Sequence, residues 1–202
     1  MIREHWWWRP GWRPGRRMYT WHVTFDDQPA VRGLAVRAQA RLDGLPGLDL
    51  VALRWLHLTM QGVGFTDEVR PDDVTLIVGA ARKRLAQVAR PVVRIGPARA
   101  ASEGVAMGVT PQDGLNSVRE GLRQAIADIW SGGRVPDADG WTPHVSIAYS
   151  RVTGPADVYE KAMADEHGSV DITISKVQLI VLGRDEHEYQ WTMHSEVLLS
   201  DA

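Results

Sequence analysis

The chain has 202 residues, 44% hydrophobic and 24% charged, with a formal net charge of -2, the balance of a soluble globular protein with one large domain or two small lobes around a shared core. The absence of cysteine excludes disulfides, thiolate metal ligands and cysteine nucleophiles. No apolar run approaches the roughly 18 to 20 residues that cross a bilayer, so a cytoplasmic protein with no membrane association is expected.

Residues 1–17 stand apart. Arg3, Arg9, Arg13, Arg16 and Arg17 face only Glu4, and they interleave with Trp6, Trp7, Trp8 and Trp12. In composition this is a nucleic-acid arm, with cations for phosphates and rings for bases. Two rival readings are packing of the rings on the protein's own body and contact with a membrane interface or partner. Pro10, Gly11, Pro14 and Gly15 prevent the long amphipathic helix that a membrane would favour.

After this head, alternation predicts a strand over 19–25 and 3.6-residue spacing a helix over 29–42. The turn Leu45-Pro46-Gly47 precedes a buried strand predicted over 50–60. Pro71-Asp72-Asp73 opens a helix expected to reach about residue 89, with proline and acidic residues in its first turn. Strands follow over 91–98 and 104–110. The order then restarts: a helix over 113–130, a Gly/Pro/Asp loop over 131–140, a strand over 143–149, a short helix over 155–166, and strands over 172–182 and 189–199. Each half thus runs strand, helix, strand, helix, strand, a repeat of architecture rather than of sequence.

Two strings occupy matching places in this repeat, in what read as central strands: His57-Leu58-Thr59-Met60 and His144-Val145-Ser146-Ile147. On a strand, residues i and i+2 share a face, so each histidine stands beside its own hydroxyl while Leu58, Met60, Val145 and Ile147 enter the core. That makes two half-sites, a pair of acid/base imidazoles with a pair of phosphate-holding hydroxyls. Position in the repeat is essential to this selection, because His-x-Ser/Thr also occurs at His22 and His167. His22 has no counterpart over 105–109 and is taken as a strand histidine on a polar face; His167, beside Gly168, is taken as a helix end.

The paired strings, 87 residues apart in duplicated halves, resemble the 2H phosphoesterase superfamily, and within it the 2'-5' RNA ligase-like cyclic phosphodiesterases, over roughly residues 18–200. The resemblance implies an α+β fold, bilobal and pseudo-twofold, with antiparallel sheets around a central cleft. The expected organisation is a Trp/Arg-rich arm over 1–17 and a single bilobal domain over 18–202, its lobes about 18–100 and 101–202, with strand exchange between them left open. It also implies metal-independent hydrolysis of 2',3'-cyclic phosphate ends of RNA or nucleotides to a 2'-phosphate, with reversible 2'-5' ligation as a related activity. His57 is then the proton donor, His144 the proton acceptor, and Thr59 and Ser146 the donors to nonbridging oxygens; Ser146 replaces the commoner Thr and keeps the hydroxyl.

Histidine suits both proton transfers because its ordinary pKa lies near 6.5. Around the motifs, Trp55, Trp141 and Tyr149 are candidate base-stacking rings and Arg151 a candidate phosphate ligand, Trp55 because i-2 spacing places it on the face of His57. His187, Tyr189 and Trp191, on the last hairpin, are within reach of the cleft, with edge or core packing the reading preferred. No cofactor is expected, and two separated histidines without Cys or an evident carboxylate partner make a poor metal site. The expected partner is an RNA end or small nucleotide, with no obligate protein partner. Alternatives are a phosphodiesterase of 2',5'-linked or cyclic oligonucleotides or of ADP-ribose cyclic phosphate, and a noncatalytic RNA- or nucleotide-binding module.

Overall fold

The structure is a computed structural model and describes residues 1–130, 135–136 and 140–201; the loop predicted over 131–140 falls mostly outside the described residues. The elements are β1 (Met18–Thr24), α1 (Pro29–Ala40), β2 (Leu48–Leu50), β3 (His57–Phe65), α2 (Pro71–Leu85), β4 (Val92–Ala101), β5 (Gly104–Thr110), α3 (Asp113–Ile129), β6 (His144–Ser150), α4 (Asp157–Met163), β7 (Val170–Thr173), β8 (Lys176–Gly183) and β9 (Gln190–Leu198). The fold is α+β, as expected, with two sheets whose described pairs within each sheet are all antiparallel.

One sheet has the order β3-β1-β8-β9 and the other β2-β6-β5-β4-β7. Helices α2 and α3 pack together, α2 against β9 and α3 against β3, while α1 and α4 pack on the second sheet. The strand alternation drives this layering. Leu58, Met60, Val145 and Ile147 are all at most 1% exposed, each turned into the core on the opposite face from its motif histidine.

Register shows the duplication more plainly than sequence. Thr24, Val23 and His22 face His57, Leu58 and Thr59; Gly108, Met107 and Ala106 face His144, Val145 and Ser146. Immediately after the hydroxyl residue, each motif strand carries one extra residue relative to its neighbour, Met60 in one and Ile147 in the other. Such bulges re-aim the side chains beside them, and here the same bulge occurs in both halves. Gly104, at the start of β5, permits close approach to β6: a Cβ there would lie 2.0 Å from the Ala148 carbonyl oxygen.

Several boundaries differ from the sequence-based expectation. The strand predicted over 50–60 is broken by a 3-10 turn at Leu53–Trp55, because β2 belongs to the second sheet and β3 to the first. Strand β3 consequently lies at its sheet's edge rather than its centre. The strand predicted over 172–182 divides into β7 and β8 for the same reason, since they lie in different sheets. Helix α2 stops at Leu85 rather than near 89, where Val88 accepts a bond from Ser200 N–H at 3.0 Å. Helix α4 stops at Met163, short of Glu166, whose carboxylate turns inward to accept the Gly168 N–H at 2.6 Å. Among the described residues no helix is long and apolar enough to cross a membrane.

The head lies on the body of the protein. Ile2 is fully buried and Trp6 is 6% exposed. His5 N–H donates to the Ser150 carbonyl at 2.8 Å, and the Trp6 indole to Asp49 at 3.0 Å. Trp6, Trp8, Trp12 and Tyr189 gather around the buried Arg184 guanidinium, their centroids 5.7 to 6.0 Å from it. Arg184 donates to the His5 carbonyl at 2.9 Å. The basic charge of the head is met by body carboxylates: Arg3 and Arg9 pair with Glu103, Arg13 and Arg16 with Asp67, and Arg17 with Asp185. This geometry favours packing over a free nucleic-acid arm. Truncation of a buried Trp costs roughly 3 to 5 kcal/mol, so Trp6→Ala is expected to lower the melting temperature by roughly 10 °C. An unchanged transition in calorimetry would show that the head adds nothing to the fold.

Candidate active site

A cavity of about 930 Å³ opens between the two sheets and is lined by His57 and Thr59 from β3, His144 and Ser146 from β6, and His22 from β1. Alternation along the two strands brings the four predicted motif residues to this one space. His57 is buried at 8% exposure, whereas His144 and Thr59 are exposed to the cavity.

Both imidazoles are held by the same local device. His57 Nδ1–H donates to the Trp55 carbonyl at 2.8 Å, and His144 Nδ1–H to the Thr142 carbonyl at 2.9 Å. A bond at one ring nitrogen fixes the tautomer, so Nε2 is the nitrogen left for chemistry in each ring. Burial is the main reason that the His57 pKa falls to about 4; its bond to Trp55 opposes the fall, and the charge of His144 adds to it. At pH 7, before substrate binds, His57 is therefore neutral.

The remaining predicted residues divide. Tyr149 lines the cavity; it is 7% exposed, and its hydroxyl interacts with that of Ser146. Burial raises its phenol pKa well above the usual range, so it stays a neutral O–H. Trp55, Trp141 and Arg151 are not among the cavity-lining residues. Trp55 belongs to the 3-10 turn rather than to the strand, so the i-2 face argument does not apply, and it meets Trp191 at 4.7 Å on the wall of a smaller pocket. Trp141 spans the halves by donating its indole N–H to the Thr59 carbonyl at 3.0 Å, with the Arg119 guanidinium 4.9 Å from its ring. Arg151, exposed, pairs with Asp49 at 3.3 Å.

Sequence reasoning missed His5, and it set aside His22 and Tyr189; all three line the same cavity. His5 stacks on Tyr149 at 4.1 Å and bonds through its two nitrogens to Glu103 at 2.9 Å and the Tyr189 hydroxyl at 3.0 Å. Burial and the Arg9 charge lower its pKa to about 4, against the opposing effect of Glu103. His22, fully buried, stacks on His57 with centroids 4.4 Å apart and planes at 5°. A signal for His22 was present, since His22-Val23-Thr24 is itself a His-x-Thr string.

Comparison with known proteins gives the family and the fold. Residues 25–186 match the family model of the 2'-5' RNA ligase superfamily. The chain belongs to that superfamily, and its class is that of the 2H phosphoesterases. Among solved structures it is similar to TT0787 of Thermus thermophilus, with a TM-score of 0.70 at 16% identity over 90% of this chain and 97% of that one. It is also similar to E. coli LigT complexed with NADP+, with a TM-score of 0.68 at 15% identity over 92% and 99%, and to LigT complexed with 3'-AMP, with 0.64 at 14% over 91% and 98%. At these identities the likeness is one of fold. No curated protein sequence matches the chain.

Proposed function

We propose that this protein is a phosphodiesterase that opens 2',3'-cyclic phosphate ends of RNA or nucleotides to a 2'-phosphate. The observation that carries the proposal is the pair of imidazoles lining one cavity, each tied through Nδ1 to its own strand's lead-in and each beside a hydroxyl. Water attacks phosphorus as His144 Nε2 takes its proton; the bond from phosphorus to the 3' oxygen breaks, and that oxygen receives a proton from His57 Nε2. Thr59 and Ser146 donate to the nonbridging oxygens, where charge is held in the transition state. A 5'-hydroxyl in place of the water makes a 2'-5' linkage, and the histidine roles exchange in the opposite direction.

Burial leaves His57 neutral before substrate binds; the phosphate anion seated beside it raises its affinity for a proton. Protonation of His57 is thus favoured in the complex over the free protein. The solved LigT complexes with 3'-AMP and NADP+ support a nucleotide in a cavity of this kind.

The test is an assay in excess chelator on 2',3'-cyclic nucleotides, cyclic-phosphate-ended RNA and 2',5'-linked dinucleotides, with the double His57/His144 variant as control. Turnover of the cyclic phosphates at undiminished rate is expected, since two imidazoles supply both proton transfers. Turnover confined to the 2',5'-linked dinucleotides would replace the substrate assignment, and binding without turnover would replace the enzyme with a binding module.

A further inference from the structure

We infer that His22 is a positioning residue, which holds the Thr59 hydroxyl and the His57 ring in the orientation that the proposed reaction at phosphorus requires. The inference rests on that proposed function. It begins with an asymmetry between the halves: the register that sets His22 opposite Thr59 sets Ala106 opposite Ser146. The duplicated fold accepts a small residue at this place, so the sheet itself does not call for an imidazole.

The surroundings of His22 settle its tautomer. Nε2 lies 3.3 Å from Thr59 Oγ1, and Nδ1 is buried with no hydrogen-bond partner among the described residues. A neutral imidazole carries one N–H. On Nδ1 it would be a buried donor without an acceptor, the rarer and costlier arrangement. On Nε2 it donates to Thr59 Oγ1 and leaves only a lone pair unmatched. With its oxygen already accepting from His22, the Thr59 hydroxyl has its own hydrogen free to donate into the cavity, where the nonbridging oxygen is to sit. The same ring covers one face of His57, and Trp191 stands nearly perpendicular to His57 with centroids 5.3 Å apart. One buried residue therefore fixes both members of the first motif.

Two measurements test this. In the wild-type protein, long-range 1H–15N correlation of the His22 ring is expected to show the proton on Nε2; a proton on Nδ1 overturns the inference, whatever the substrate. In kinetics, His22→Phe keeps the stacked ring and removes the donor. It is expected to lower kcat for a cyclic phosphate about tenfold with little change in KM, and His22→Gln, which restores an N–H, to recover part of the loss. The decisive result is the double variant with Thr59→Val, expected to be no slower than Thr59→Val alone. Losses that multiply would show that His22 acts independently of Thr59 and overturn the inference while leaving the phosphodiesterase reading in place. If Thr59→Val alone has no effect, it is the proposed role of Thr59 that fails, and the inference fails with it.

Discussion

His144→Ala is expected to slow cyclic-phosphate hydrolysis at least a hundredfold, because a positioned acid or base contributes on the order of 10² to 10⁴ in rate. This variant is the cleaner of the two histidine tests. His144 is exposed to the cavity, and truncating it creates no void, so the melting transition should stay where it is. His57→Ala should lose as much activity, but this ring is 8% exposed and stacked on His22, and its removal also loosens packing. His57→Gln is the better companion. Groups that act as a unit in one transition state lose activity non-additively, so the double variant should be scarcely slower than either single one. Near-normal turnover in His144→Ala would remove the two-imidazole mechanism altogether.

The second large effect is on stability in acid. His5, His22 and His57 all have pKa values pushed down, chiefly by burial, and are neutral in the folded protein. When unfolded they return to about 6.5. A depressed folded pKa gives stability that is complete above the unfolded value and is lost as pH falls through 6.5 toward the folded value, because the unfolded chain binds the proton first. For His57, with a folded value of about 4, the loss between pH 7 and pH 5 is on the order of 2 kcal/mol. His5 and His22 act in the same direction. The paired carboxylates Asp67, Asp128, Asp171 and Glu196 have lowered pKa values and remain ionised in the folded protein across that window, while unfolded carboxylates titrate mostly below about pH 5, so most of the loss belongs to the histidines. Urea denaturation at pH 7 and pH 5 measures it directly. Equal stability at the two pH values would mean that the three rings are not buried as neutral groups.

The core alternation and the motif pair are legible in the sequence because both rest on period-2 spacing within single strands. Leu58, Met60, Val145 and Ile147 need nothing else. What depends on which strands pair is not legible. The lack of a histidine over 105–109 counts against His22 in the sequence, yet the structure makes that same asymmetry informative by placing Ala106 where the other half has His22. Spacing puts Trp55 on the wrong face because periodicity does not mark the 3-10 turn at Leu53–Trp55 where the chain changes sheets. The head resists reading for a different reason. Its composition suits a polyanion, but its arginines meet Glu103, Asp67 and Asp185, carboxylates far away in sequence that only the tertiary fold brings within reach.

The bonds from each motif Nδ1 to a carbonyl two residues earlier have a kinetic consequence. Both rings reach the folded state with the tautomer and tilt they need, so the reorganisation cost of aligning them is incurred once, during folding, rather than at every turnover. In the proposed reaction, a cycle at phosphorus then consists of two proton hops at Nε2, one on each side of the substrate. Neither imidazole has to flip between them.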